Sequence, residues 1–481
     1  MSQGKCQRVC LGAATAAALL LSQGQPAGRA EPATSDAKRA LMSGANAVAL
    51  VAQTLRSHQT RRAVSDDLAL RDIVPGLLVV KFAEGLPDRQ VARAISSAGG
   101  VSGRTVPHAD FVVVTLTGGV DPVEAAARAA GEPGVVYAEP LARRHPLYRP
   151  NDPLYEFQWN LHQLDLERAW DVNQGASNDV VVAVIDSGVA YANQGGFAQA
   201  PDLAGTRFVP GYDFIWDDDT PFDLHGHGTH VTGTVAQTTN NATGTAGVAF
   251  NVSIMPIKAI SSEWDEILGA PNQGTSVTVA QAIRFAVDHG AKVINLSLGG
   301  FEASTAEREA VIYAVDKGVV VVAAAGNDGE FGSRPSYPAQ FAKDIEGAIA
   351  VSAVDFGRQR APYSNVNDYV EIAAPGGNVD ADLNGDDFGD GVLQQTLDFD
   401  AVAEGRFNEF AYFFIEGTSM ASPHIAGMAA LLIDQGITDP KAVEAALKRF
   451  ATDLGPAGRD SEYGYGLVSP RATLRGLGLA R

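Results

Sequence analysis

The sequence predicts an α/β fold, a parallel sheet with helices on both faces, preceded by a small α+β unit. Three observations carry this. Short, predominantly apolar runs at 180–185, 252–257, 293–298 and 319–324 read as strands buried on both faces. Helical periodicity at 227–237, 277–289, 306–317 and 422–433 alternates with them, which implies parallel pairing through helical crossovers. Upstream, residues 73–142 hold a tighter alternation of short strands and helices. With 481 residues, 46% of them hydrophobic, the chain is long enough for more than one core.

Taken in order, residues 1–30 read as a signal peptide. Lys5 and Arg8 precede an apolar run at 9–21 and then small residues, with cleavage expected after Gly24 or Ala30. Both cysteines, Cys6 and Cys10, fall in this segment, so the mature chain is expected to be secreted without disulfides. Residues 31–70 are a linker to which the sequence assigns no role. In 71–146, strands at 77–82, 110–116 and 135–138 and helices at 88–97 and 122–130 suggest a ferredoxin-like sandwich. The basic, proline-rich stretch 141–150 reads as a processing linker into the α/β domain, 150–481. No run of eighteen apolar residues follows the N-terminus, so no membrane-spanning helix is expected.

Charge narrows the partners. Residues 1–150 carry 17 Lys and Arg against 12 Asp and Glu, leaving 19 against 44 for 151–481, or net +5 and −25. So acidic a domain disfavours nucleic acid and anionic membranes.

The chemistry gathers around Glu416-Gly417-Thr418-Ser419-Met420-Ala421-Ser422-Pro423-His424, which follows an apolar strand-like run and precedes an Ala-rich helix. A serine at such a strand-to-helix turn is either an N-cap or a nucleophile whose N–H groups favour an anion. A nucleophile needs a base and a group that orients the base. Asp186 ends the strand at 180–185, and His227 opens the helix after Asp223-Leu224-His225-Gly226. His230 falls one turn further on and is expected to be packed inward. Asn327 ends the strand at 319–324, where its amide can meet developing negative charge.

In this order, Asp-Ser-Gly, His-Gly-Thr-His-Val-x-Gly, Ala-Ala-Gly-Asn and Gly-Thr-Ser-Met-Ala-x-Pro resemble the subtilisin-like serine endopeptidases over about residues 150 to 475. The resemblance implies Asp186 as orienter, His227 as general base, Ser419 as nucleophile, and Asn327 with the Ser419 N–H as oxyanion hole. It makes Ser297, Leu298 and Gly299 the edge that pairs with an extended peptide substrate. Ala325 and Gly326 become a wall of the specificity pocket, with Ser336 near its base and a cis bond before Pro338. The small lining suggests large apolar side chains, and Asp328 at the rim suggests Lys or Arg as well. It implies that the unit at 71–146 is an inhibitory propeptide, that the enzyme matures by autoprocessing, and that it works as a monomer without an organic cofactor.

The resemblance also implies a structural Ca²⁺ held by Asp152, Asp202 and Asn241 with the carbonyls of Thr239, Thr243 and Thr245. A second Ca²⁺ loop is suggested by Asp380, Asp382, Asn384 and Asp386 at alternate positions, although Gly391 stands where a bidentate Glu is expected. Two rival readings are a metal-dependent hydrolase built on His225, His227 and His230, and a catalytically silent binding relative.

Overall fold

A computed structural model describes residues 6–8, 73–142 and 148–476, in two compact units that divide between Pro146 and Leu147. The apolar run at 9–21, both signal-cleavage positions, the 31–70 linker and residues 143–147 lie outside the described residues.

The first unit is a four-stranded antiparallel sheet in the order Gly100–Thr105, Val112–Leu116, Ile73–Phe82, Val135–Ala142. Helices Asp88–Ser97 and Pro122–Ala130 complete a βαββαβ, ferredoxin-like connectivity. Local chemistry starts the second helix, where Asp121 accepts from the Val123 N–H and Pro122 takes the first helical position. Leu78, Val80, Val114 and Leu116 from the sheet meet Ala125, Ala126 and Ala129 from that helix. The strand Gly100–Thr105 was not predicted. Its residues are almost all exposed, so it has no apolar face to signal it and is set by backbone pairing with Val112–Leu116.

The second unit is built on a parallel sheet. Its order is Ile372–Pro375, Ala348–Val354, Val320–Ala324, Val293–Leu296, Val181–Asp186, Ser253–Lys258, Arg207–Phe208, with Tyr212–Asp213 also on Ser253–Lys258. Successive residues serve opposite cores. Val182, Val184, Val320 and Val322 pack with Val231, Val235 and Ile425 of helices His227–Ala236 and Thr418–Asp434. Ala183, Ile185, Val321 and Ala323 pack with Ile283 and Val311 of helices Ser276–Asp288 and Thr305–Asp316. Both faces are therefore covered, as hydrophobic strands without polar alternation require.

The four predicted strands and four predicted helices are present with small changes of boundary. The strand predicted to 298 ends at Leu296, and the last helix begins at Thr418 instead of 422. Ala348–Val354 and Ile372–Pro375 extend the sheet and were not predicted. An antiparallel pair, Val392–Leu397 and Phe410–Ile415, leads into helix Thr418–Asp434, and Cys6–Arg8 pairs along Phe413–Ile415.

Candidate active site

Asp186 is the last residue of its strand, is fully buried and sits beside the neighbouring strand at Lys258. His227 is the first residue of its helix, which the chain can enter because Gly226 takes a left-handed conformation, φ 98°. The two meet, with His227 Nδ1 2.7 Å from Asp186 Oδ1. The same oxygen accepts the Ser187 N–H at 2.7 Å, while Asp186 Oδ2 is buried without a hydrogen-bond partner. Burial pulls the His227 imidazolium down. The Asp186 charge, the hydrogen bond to it and the Asp223 charge outweigh that, and the pKa lies above the ordinary 6.5.

Asp223 went unassigned in the sequence reading, although it stands four residues before His227. Buried, it accepts from the N–H groups of His225 (2.9 Å), Gly226 (2.8 Å) and Thr229 (3.0 Å). It also accepts from the hydroxyls of Ser187 (3.0 Å) and Thr229 (2.6 Å). One carboxylate thus folds the turn that aims His227. A buried Asp without a salt bridge depends on such donors, but nothing in composition announces them.

Ser419 lies in the first turn of helix Thr418–Asp434. The preceding Gly417 has φ 152°, and a Cβ there would stand 3.5 Å from Asn327 Nδ2 and 3.6 Å from the Ser419 N. Two donor nitrogens therefore lie close to one point beside the nucleophile. Asn327 is oriented for this, since its Oδ1 accepts from the Thr418 N–H (2.9 Å) and hydroxyl (2.8 Å), which turns Nδ2 the other way.

Helix geometry also explains how Ser297 meets Ser419. Pro423, inside the helix, has no N–H to give the carbonyl four residues back, which is that of Ser419. The Ser297 hydroxyl donates to that carbonyl at 2.7 Å, and the Ser419 hydroxyl donates to the Ser297 carbonyl at 3.2 Å. Ser297 in turn accepts from Asn295 Nδ2, whose Oδ1 accepts from the Ser422 hydroxyl.

Ser297, Leu298 and Gly299 follow the strand end, and Gly300 exchanges both backbone hydrogen bonds with Tyr337. A Cβ on Gly299 would meet Ser336 Oγ at 2.3 Å, and one on Gly326 would meet Ser336 Cβ at 2.9 Å, so Ser336 stands between the two walls. Ala325 is fully buried in the core, which leaves Gly326 to form that wall. The bond before Pro338 is cis, as the resemblance implied. Asp328 differs from expectation. Arg334 grips its carboxylate through Nε (2.9 Å) and Nη2 (3.0 Å) while stacking on Phe301, so the acid is already neutralised.

The histidine cluster does not converge on a metal. His230 is buried and its Nε2 lies 3.1 Å from the carbonyls of both Val392 and Phe413, while His227 is committed to Asp186. This is the inward packing expected of His230, and among the described residues these histidines form no metal cluster.

Of the first proposed Ca²⁺ donors, Asp152, Asp202 and Asn241 lie together. Asp152 accepts from the N–H groups of Asn240 (2.7 Å) and Asn241 (3.2 Å). Asp202 accepts from Asn241 Nδ2 (3.1 Å) and the Thr245 N–H (2.9 Å). Gly244, φ 49°, lets the loop pass this close, because a Cβ would lie 2.2 Å from Asp202 Oδ2. Both carboxylates are buried. Burial pushes Asp202 up to about 6, the nearby Asp152 charge adds to it, and no ion pair answers either among the described residues. Hard oxygens around uncompensated buried charge fit Ca²⁺. Thr243 donates its N–H to Asn241 Oδ1, and Thr239 caps the loop by accepting from the Gly247 N–H. Among the described residues no three His, Cys, Asp or Glu side chains form a metal cluster by themselves, and this set relies on amide and carbonyl oxygens besides its two acids.

Comparison with known proteins decides the family. The subtilase family profile matches residues 177–466, and the fervidolysin N-terminal prodomain profile matches residues 61–140. The chain belongs to the subtilase family. A thermophilic serine proteinase of Bacillus sp. (strain AK1) is 37% identical over 396 residues, 81% of this chain and 86% of that one. Thermitase of Thermoactinomyces vulgaris is 35% identical over 65% of this chain and 94% of its own. Among solved structures, a protease from Pseudoalteromonas arctica superposes with a TM-score of 0.56 at 31% identity, covering 68% of this chain and 99% of that one. This subtilase is a serine endopeptidase with an N-terminal prodomain.

Proposed function

We propose that this subtilase hydrolyses peptide bonds through an acyl-enzyme, with Ser419 as nucleophile, His227 as base then acid, and Asp186 as the group that orients His227. The observation that carries the reading is the short bond between buried Asp186 and His227, with the Asn327 and Ser419 donor nitrogens close to one point. His227 Nε2 takes the Ser419 proton as Oγ attacks the carbonyl carbon. Asn327 Nδ2 and the Ser419 N–H hold the oxyanion. Collapse sends the proton from His227 to the leaving amine, and water repeats the sequence on the acyl-enzyme. An extended substrate pairing with Ser297 to Gly299 competes for the Ser297 carbonyl, which releases the Ser419 hydroxyl towards His227.

The same reading divides the chain into a signal peptide, 1–30, a linker, 31–70, a propeptide that inhibits in cis, 71–146, and a catalytic domain, 150–481. The product is a secreted monomer acting on proteins or peptides, free of the membrane once the signal is removed. Among the described residues no helix is long and apolar enough to cross a membrane. Intact mass tests the maturation step. Wild type incubated with calcium should lose a fragment ending between 142 and 150 while Ser419→Ala stays full length; equal shortening of both would assign the cut to another protease.

Two further outcomes follow from the site. Arg334→Ala frees the Asp328 charge and should raise kcat/KM for substrates with Lys before the cut by about three- to fivefold, the size of an exposed ion pair. Substrates with Phe there should be unaffected, which a paired peptide series reads directly. Ca²⁺ at Asp152, Asp202, Asn241 and the Thr239, Thr243 and Thr245 carbonyls stabilises the fold. Calcium at a hundredfold over Kd should add about 2.7 kcal/mol through that site. Calorimetric melting of Asp202→Ala with and without chelator should show that increment lost.

A further inference from the structure

The insertion between Gly377 and Gly391 carries its acids at alternate positions, a pattern that a solvated turn also shows. A residue outside the predicted ligand set distinguishes them. Asp390 is 1% exposed, and its Oδ2 accepts the Leu383 N–H at 2.6 Å, so the carboxylate reaches back into the middle of the loop. Its Oδ1 is buried and has no hydrogen-bond partner. The charges that act on it are Asp386, Asp382 and Asp355, all of its own sign, and no salt bridge reaches Asp382, Asp386 or Asp390 among the described residues. A bare buried carboxylate oxygen among acids is strongly unfavourable unless a proton or a cation neutralises it, and a cation here would answer the neighbouring acids as well.

The backbone also corrects the register. Asp382, not Asp380, folds over the loop, accepting from the N–H groups of Gly385 (2.7 Å), Asp386 (3.1 Å) and Asp387 (3.2 Å). Counting Asp382 as the first position of an EF-hand-type loop puts Asn384 third, Asp386 fifth, the Phe388 carbonyl seventh and Asp390 ninth. The sixth position, where such loops use glycine for a sharp turn, is Asp387, which here adopts φ 70°.

We propose that a calcium ion draws Asp382, Asn384, Asp386 and Asp390 together, their carboxylates forming no metal cluster among the described residues without it, and that this ion braces the turn presenting Ser419. The loop's ends grip that turn from both sides. The Val379 N–H donates to Glu416 Oε2 at 2.7 Å, the Gly417 N–H donates to the Gly376 carbonyl at 3.0 Å, and the Asn378 N–H donates to the Asp390 carbonyl at 2.8 Å. Fixing Asp390 therefore fixes Asn378 and Val379, and through them Glu416, three residues before the nucleophile. The bracing half rests on the reading of Ser419 given above; the metal half does not.

The test uses the full chain carrying Ser419→Ala, which cannot cut itself, with Asp390→Asn or Asp382→Asn added. Calcium titration by calorimetry should show one ion fewer per chain in either variant. Asp390→Asn keeps the shape and removes the charge, so it should melt above its parent in chelator and gain less from calcium. Asp387→Gly should tighten binding severalfold. Unchanged ion counts and equal calcium-dependent melting shifts in both Asn variants would overturn the site. With Ser419 restored, labelling by a serine-directed reagent should slow in chelator, and Asp390→Asn should blunt this dependence. If the ion count falls while labelling ignores calcium, the bracing role is overturned. No labelling of wild type under any condition would instead fault the nucleophile.

Discussion

Ser419→Ala should lower kcat for a peptide substrate by about a millionfold, the magnitude measured for loss of the nucleophile in subtilisin, while the protein stays folded. The hydroxyl makes one hydrogen bond, to the Ser297 carbonyl at 3.2 Å, so its removal costs about 1 kcal/mol of stability at most. The helix start is independent of it, being set by Gly417 and by Thr418 against Asn327. Steady-state kinetics with a thermal melt separates the two effects. A variant that melts like wild type yet keeps a hundredth of the activity would mean that another group attacks the substrate.

Asp186→Asn should lower kcat by about ten-thousandfold, the cost of presenting the wrong imidazole tautomer in a triad of this kind. The Asn amide can donate towards Nδ1, leaving the proton on Nε2, where it blocks the base. The pH profile should move as well. In wild type the charged form of His227 is favoured, so its pKa lies above 6.5, and the neutral base, with the rate, is lost as pH falls through that raised value. Removing the Asp186 charge deletes the first of the terms that oppose burial, so the acid limb should shift to lower pH. A limb that stays put would assign it to a group other than His227.

The catalytic fold was legible because its strands are buried on both faces. Runs such as Val320–Ala324 are apolar without interruption, and the helices between them carry the matching periodicity. What escaped notice has a common cause. Gly100–Thr105 is exposed, and Ala348–Val354 is rich in alanine with a serine inside, so neither carries a distinctive pattern, and backbone pairing defines both. In the site, Asp186, His227, Ser419 and Asn327 stood at ends of elements, where an apolar run stops at a polar group and a glycine. Asp223, Arg334 and Asp390 act through partners separated from them in sequence or through loop folding. No spacing rule shows that Arg334 covers Asp328, or that Asp390 turns back to Leu383. The helix beginning at Thr418, ahead of the predicted 422, also depends on tertiary structure, since Ser297 serves the carbonyl that Pro423 leaves free.

The central claim is that one activated serine performs the chemistry. It is tested most directly by treating wild type with a serine-directed fluorophosphonate, then locating the adduct by peptide mass mapping. The account predicts a single adduct on Ser419, formed at a rate that falls as pH drops through the raised His227 pKa and that is abolished in His227→Ala. An adduct on another residue, or labelling of Ser419 that is indifferent to His227, would contradict it.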